Sequence, residues 1–280
     1  MKKFKVGLQL YSIREDMEKD MDSALAQVKA MGYDYVEFAG YFGKSAEEVR
    51  ALLDKHGLEC ISVHQTYDVF LDNPKESVDY LKTIGAKYSA VPWMGVEKHQ
   101  GHGDFENTVA EFNKVGKTLK DGGIQLLYHN HDFEFEKYED KFLLDWLYDS
   151  VSEDLLKTEI DVCWVRYAGY DPAEYIRKYT GRSPIVHLKD FECKNFNMGP
   201  VYALISSDGG SDEAKKPESK DEAGFMFKPV GHGVQDIPAI LAAAEDAGAE
   251  YVIVEQDSSV ERPAMEAAKM SRDYLRSIGQ

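Results

Sequence analysis

Short runs rich in β-branched and aromatic residues recur along this chain, and a stretch with helical periodicity separates each from the next. The candidate strands are Lys5–Tyr11, Tyr35–Ala39, Cys60–Gln65, Tyr88–Trp93, Gln125–His131, Thr158–Val165, Pro184–Lys189 and Tyr251–Gln256. The helical stretches are Met21–Met31, Ala46–His56, Lys75–Ile84, Phe105–Gly122, Phe142–Ser150, Pro172–Tyr179, Asp236–Ala247 and Pro263–Ser277. Glycines at 32, 57, 85, 123 and 248 stand between a helical run and the next strand, where a left-handed residue ends a helix. Strict alternation of this kind implies a parallel sheet with helices outside it. Eight βα units in 280 residues fit one α/β domain, a (β/α)8 TIM barrel over residues 1–280. A doubly wound open sheet is the competing architecture, but no G-x-G-x-x-G follows the first strand.

One segment breaks the rhythm. Residues 191–229 form a long insertion after strand seven, strongly polar from Ser206 to Asp221. In a barrel it falls on the carboxyl face, as a lid or substrate-entry rim or as a plain surface excursion. Charge narrows the partners. With 33 basic and 50 acidic side chains the formal net charge is −17. Such a surface repels phosphate backbones and anionic lipid, so neither nucleic acid nor membrane is expected as a partner. Cys60, Cys163 and Cys193 form no C-x-x-C pair, and an odd count argues against a disulfide framework. No secretory signal is read at the amino terminus and no stretch is apolar enough to span a bilayer, so a cytoplasmic protein is expected.

Barrel interiors are packed with apolar side chains, so ionisable residues at the carboxyl ends of strands mark the site. Here the fifth strand ends in His129 and His131, the sixth carries Glu159 and Asp161, the seventh His187 and Lys189, and the eighth Glu255 and Asp257. His129 and His131 share a face, as do Glu159 and Asp161, and His187 and Lys189, because inward positions repeat every second residue. Any one histidine alone is more often a core or surface residue. Four neighbouring strand ends together suggest a divalent-cation site of mixed nitrogen and oxygen donors. Other mouth positions are Glu37, His64, Gln65, Trp93 and Trp164, with His232 in a glycine-flanked turn. These suit the hydroxyls and C–H face of a sugar, although tryptophan there also serves simple packing and the His232 turn fits loop surface equally well.

The motifs Leu8–Arg14, Val36–Tyr41, Tyr128–Phe135, Asp161–Trp164, His187–Asp190 and Val254–Asp257 occur in order along the chain. In them the sequence resembles the xylose isomerase-like TIM barrels described as sugar phosphate isomerase/epimerase. The resemblance implies one divalent ion (Mn2+, Zn2+, Co2+ or Mg2+) held by Glu, Asp, His and Glu at strands five to eight. Asp161, His187 and Glu255 carry over. The first glutamate does not: His129 stands in its place, so either His129 ligates or Glu134 reaches back from the following loop.

The resulting expectation is a metal-dependent isomerase or epimerase acting on a small keto-sugar. Polarisation of the carbonyl acidifies the neighbouring C–H. Glu255 is the first candidate base and His131 the second, with Lys189 holding the enediolate. The same machinery expelling a β-oxygen would make a lyase, and a non-catalytic carbohydrate-binding barrel is the reading from another class. The metal-dependent DNA-repair endonucleases of the same superfamily need a basic groove that this acidic chain lacks. Homo-oligomerisation is left open.

Overall fold

In the computed structural model, which describes residues 2–194, 196 and 224–280, eight parallel strands form one sheet. They are β1 (Lys5–Gln9), β2 (Tyr35–Phe38), β3 (Glu59–Val63), β4 (Tyr88–Val91), β5 (Gln125–His129), β6 (Leu156–Asp161), β7 (Ile185–Leu188) and β8 (Tyr251–Val254). β1 pairs with both β2 and β8, which wraps the last strand against the first. Closure comes between β3 and β4. There a bridge joins His64 to Ala90, and Gln65 N donates to Ala90 O at 3.0 Å. The expected (β/α)8 barrel is therefore the fold.

Outside lie α1 (Arg14–Met31), α2 (Ala46–His56), α3 (Pro74–Ile84), α4 (Phe105–Asp121), α5 (Leu143–Ser150), α6 (Pro172–Lys178), α7 (Ile237–Ala247) and α8 (Ala264–Ser277). α2 starts at a capping box in which Ser45 and Glu48 satisfy each other's backbone N–H, worth about 1 kcal/mol. The glycines expected to stop helices, 32, 57, 85, 123 and 248, all adopt positive φ.

Two boundaries differ from the sequence expectation by more than two residues. α1 begins at Arg14 rather than Met21 and is kinked at Asp20, whose φ is −161°. The run read as one strand over Thr158–Val165 ends at Asp161, and Val162–Tyr167 is helical. The physical reason is a cap. The Asp161 carboxylate accepts the N–H of Cys163, so the backbone turns into a helix directly behind it.

The main apolar core lies between the strands and the helix ring, built from residues such as Leu8, Leu53, Phe112, Leu126 and Ile240. A separate apolar plug fills the barrel itself: Ile61, Ala90, Leu127, Ile185, Tyr251 and Ile253. Because β-strand side chains alternate, the inward residue two positions after each plug residue rises to the mouth. His129 follows Leu127, His187 follows Ile185, and Glu255 follows Ile253. The plug closes the floor and leaves polar groups above it.

The insertion after β7 is entered and left by a short antiparallel ladder, Asp190–Glu192 with Met226–Lys228. Residues 195 and 197–223 lie outside the described residues, and with them the reading of this segment as a lid or entry rim. Among the described residues no helix is long and apolar enough to cross a membrane.

Candidate metal centre

Strands β5 to β8 bring His129, Asp161, His187 and Glu255 together, with one ligand atom of each within 4.8 Å of the others. Opposite ligands around an ion at about 2.1 Å stand about 4 Å apart, so the group has the right size. His129 Nε2 lies 3.4 Å from Asp161 Oδ2, and His187 Nδ1 lies 3.1 Å from Glu255 Oε2. All four side chains are buried. Burial holds the His129 imidazole well below its usual pKa, with the positive charge of His187, His64 and Lys189 acting the same way. A neutral imidazole is what a metal takes.

Lys189 reaches into the same group. Its ammonium stands 2.9 Å from Asp161 Oδ2, 2.8 Å from Glu255 Oε2 and 2.9 Å from Asp257 Oδ1. Burial would lower its pKa, but the three carboxylates outweigh that and raise it well above the usual value. Glu255 is held well below its usual pKa, because Lys189 and His187 outweigh its burial. Asp257 is pushed up to about 6 by burial, against the pull of Lys189.

A second group lies beside the first and shares two of its members: His64, His129, Glu159 and His187. His64 Nε2 is 2.7 Å from Glu159 Oε2, and His187 Nε2 is 2.7 Å from Glu37 Oε2. Gln9 Nε2 donates to the same oxygen of Glu37 at 2.9 Å. Burial raises Glu37, yet His64 and His187 hold it at about 2, while burial and the charge of Glu37 push Glu159 up to about 7. Neither Glu37 Oε1 nor Glu159 Oε1 has a hydrogen bond.

Five buried carboxylates, Glu37, Glu159, Asp161, Glu255 and Asp257, thus face one buried lysine and the histidines. Uncompensated buried charge costs several kcal/mol per group. A divalent cation among mixed imidazole and carboxylate donors removes that cost, and the donor set fits Mn2+, Zn2+ or Co2+ better than Mg2+.

Trp164 and His131 form the wall beside Lys189. The two rings are 5.4 Å apart, and the Lys189 ammonium sits 5.3 Å from the Trp164 ring. Trp164 is fully buried and stacked on Phe225. Trp93 stands on the loop after β4 with 43% of its surface exposed. Gln65 follows the closing bridge between β3 and β4.

One of the alternatives left open by the sequence falls away. Glu134 does not reach back to the cation group. Both oxygens are engaged away from it, accepting from Tyr128 Oη at 2.6 Å and His131 N at 2.7 Å. Tyr128 points out of the barrel, one residue out of phase with His129, and the Phe133–Phe135 turn carries Glu134 to that side. His129 is therefore the β5 member of the group. His232 is exposed, and its ring faces Tyr274 of α8 at 6.3 Å.

Sequence reasoning passed over Gln9, and it counted Glu159 and Asp257 at the mouth without giving them individual roles. Glu159 and Asp257 were visible as i±2 partners of Asp161 and Glu255. Gln9 had no signal beyond its place at the end of the first strand.

Comparison with known proteins agrees with this geometry. A family model described as xylose isomerase-like TIM barrel matches residues 25–278. The chain belongs to that family. Curated relatives include inosose dehydratases from Mesomycoplasma hyopneumoniae (strain 7448) and Geobacillus kaustophilus (strain HTA426). The first is 26% identical over 92% of this chain and 88% of the relative. The second is 24% identical over 91% and 86%. Among solved structures, a sugar phosphate isomerase/epimerase from Parabacteroides distasonis superposes with a TM-score of 0.77 at 22% identity, covering 100% of this chain and 96% of that one. The IolI protein with a bound zinc atom superposes with a TM-score of 0.68 at 16% identity, covering 98% and 97%. The structural likenesses establish the fold alone.

Proposed function

We propose that this barrel is a metal-dependent lyase that removes water, or another β-oxygen substituent, from a keto-sugar or a keto-cyclitol. The observation that carries the reading is that β5 presents an imidazole where a second, opposed glutamate base would stand. Epimerisation through two opposed carboxylates needs a glutamate on each side of the reacting carbon. Here β5 contributes a neutral imidazole, His129, and the carboxylates Glu255 and Asp257 stand together on β8. The dehydratase names of the curated relatives point the same way. The isomerase or epimerase expected from the sequence gives way to the lyase on these grounds.

His129, Asp161, His187 and Glu255 are the residues to hold the ion. When bound, the ion supplies Lewis-acid polarisation of the substrate carbonyl. Glu255 takes the proton from the carbon next to that carbonyl, and the C–H electron pair moves into the carbonyl to give an enolate. Lys189, charged and fixed by Asp257, meets the negative oxygen. Collapse of the enolate breaks the bond from the β-carbon to its oxygen. The leaving oxygen recovers the proton from Glu255, so water departs and the carboxylate is restored. A single base on one face suffices for this sequence. Trp164 and His131 wall the substrate, with Trp93 at the rim and Glu37 and His64 beneath.

The test is to incubate Mn2+-loaded protein with a keto-cyclitol and with a 3-keto-glucoside in D2O and weigh the products. The proposal expects a product lighter by one water or one aglycone. A product of unchanged skeleton with deuterium at one carbon sinks the lyase in favour of an isomerase. Ligand recovered unchanged under all conditions means a carbohydrate-binding barrel.

A further inference from the structure

The cation group and the group beside it share His129 and His187, and each imidazole presents a different nitrogen to each. His187 turns Nδ1 toward Glu255 at 3.1 Å and Nε2 toward Glu37 at 2.7 Å. His129 turns Nε2 toward Asp161 and Nδ1 toward Glu159, both at 3.4 Å. A neutral imidazole has one lone pair to give and one N–H to donate. The two groups therefore divide the work of each ring.

We infer that Glu37 and Glu159 are positioning residues that decide which nitrogen of His187 and His129 faces the cation. This rests on the metal-dependent reading above. Glu37 accepts from His187 Nε2, which leaves Nδ1 with the lone pair on the Glu255 side. Glu37 is itself fixed: Gln9 Nε2 donates to the same carboxylate oxygen at 2.9 Å, and Gln9 Oε1 accepts from Tyr11 N at 3.0 Å. Glu159 Oε2 is held by His64 Nε2 at 2.7 Å and stands 3.4 Å from Nδ1 of His129, an approach of charge to ring with no hydrogen bond. Both glutamates are wholly buried. Carboxylates behind metal-bound histidines fix the tautomer and raise ligand basicity, and their loss weakens metal binding by about 10–100-fold.

This arrangement excludes a simpler use of the same atoms. His64, His129, Glu159 and His187 have donors close enough to hold a cation of their own. Filling both groups at once would require His129 and His187 each to lose a second proton and bridge two ions. Hydrogen bonding of His187 Nε2 to Glu37 takes that nitrogen as a donor instead.

The experiment uses the full chain and metal alone. Cobalt(II) titration of the wild-type protein is expected to end at one equivalent. E37Q and E159Q should each bind about 10–100-fold more weakly with an altered visible spectrum. Nitrogen-15 histidine NMR of the Zn2+-loaded wild type needs no substitution, so it decides the matter even if a variant fails to fold. Metallation of His187 at Nδ1 and of His129 at Nε2 is expected. The opposite tautomer in either ring overturns the inference, as does unchanged affinity in both variants. Two equivalents in the wild type, one of them lost in E159Q, also overturn it and make the lower group a second site. A wild type that binds no metal removes the proposed function as well.

Discussion

The ammonium of Lys189 stands 2.8 Å from Oε2 of Glu255, a carboxylate of the candidate metal centre. It contacts Asp161, another member of that group, at 2.9 Å. In the metal-free protein the lysine thus neutralises the carboxylates that a cation would otherwise engage. Lys189→Met removes a positive charge next to the ion, and even at the dielectric of water that repulsion is worth about 1–2 kcal/mol, or roughly tenfold tighter metal binding. The metal-free variant should melt lower, because its buried carboxylates are uncovered, and metal should restore it. Turnover should fall by about 100-fold or more, since the developing oxyanion loses its cation. Chelator competition, melting and initial rates measure the three effects. Weaker metal binding in this variant would mean that Lys189 only props the site open.

His187 and Asp161 face each other across neighbouring strands, paired in register between β6 and β7. Replacing either with alanine should drop bound metal well below one equivalent and abolish turnover. Metal analysis of the purified variants reads this directly. Full occupancy in either variant shows that its side chain is not a ligand.

The barrel and its mouth were legible because alternation in a parallel strand is a local rule. Once Leu127, Ile185 and Ile253 point inward, His129, His187 and Glu255 must too. His64 obeys no such rule, since it follows the inward Ile61 by three residues. A register shift between β2 and β3 at Val36/Glu37 accompanies that odd step. The roles of Gln9 and Asp257 depend on partners that are far away in sequence, Glu37 and Lys189. Glu134 and His232 were ambiguous in the sequence for another reason. Each sits in a turn, and a turn's sequence does not say which side of the wall its side chain meets.

Glu134 gives a pH signature of stability independent of metal. Burial pushes its carboxyl up to about 8, although Tyr128 Oη and His131 N donate to it. In the unfolded chain it ionises near 4.5. Between those values the folded protein keeps a proton that the unfolded chain has lost, so this group's contribution to stability falls as pH rises from about 4.5 to 8. Glu134→Gln should abolish that part of the slope. Urea unfolding of both proteins across the window is expected to show the wild type losing ground to the variant by a few kcal/mol. Parallel curves would place the Glu134 pKa near its ordinary value.

Asp190, next to Lys189, ties down the turn that leads into α7. Its carboxylate accepts four backbone N–H groups, from Phe191 at 2.9 Å, Gly231 and Gly233 at 3.0 Å and Gln235 at 3.1 Å. An asparagine there keeps the shape but turns one acceptor into a donor aimed at N–H groups. At about 1–3 kcal/mol for each buried donor left unpaired, Asp190→Asn should cost roughly 2–4 kcal/mol. Gly233→Ala attacks the same contact from the other side, because a Cβ on residue 233 would overlap Asp190 Oδ1 and the carbonyl of Phe191. Both variants should lower the melting temperature while leaving metal stoichiometry at one, because no cation ligand is touched. A change in the cobalt(II) spectrum with unchanged melting would instead mean that this turn shapes the metal centre rather than the fold around it.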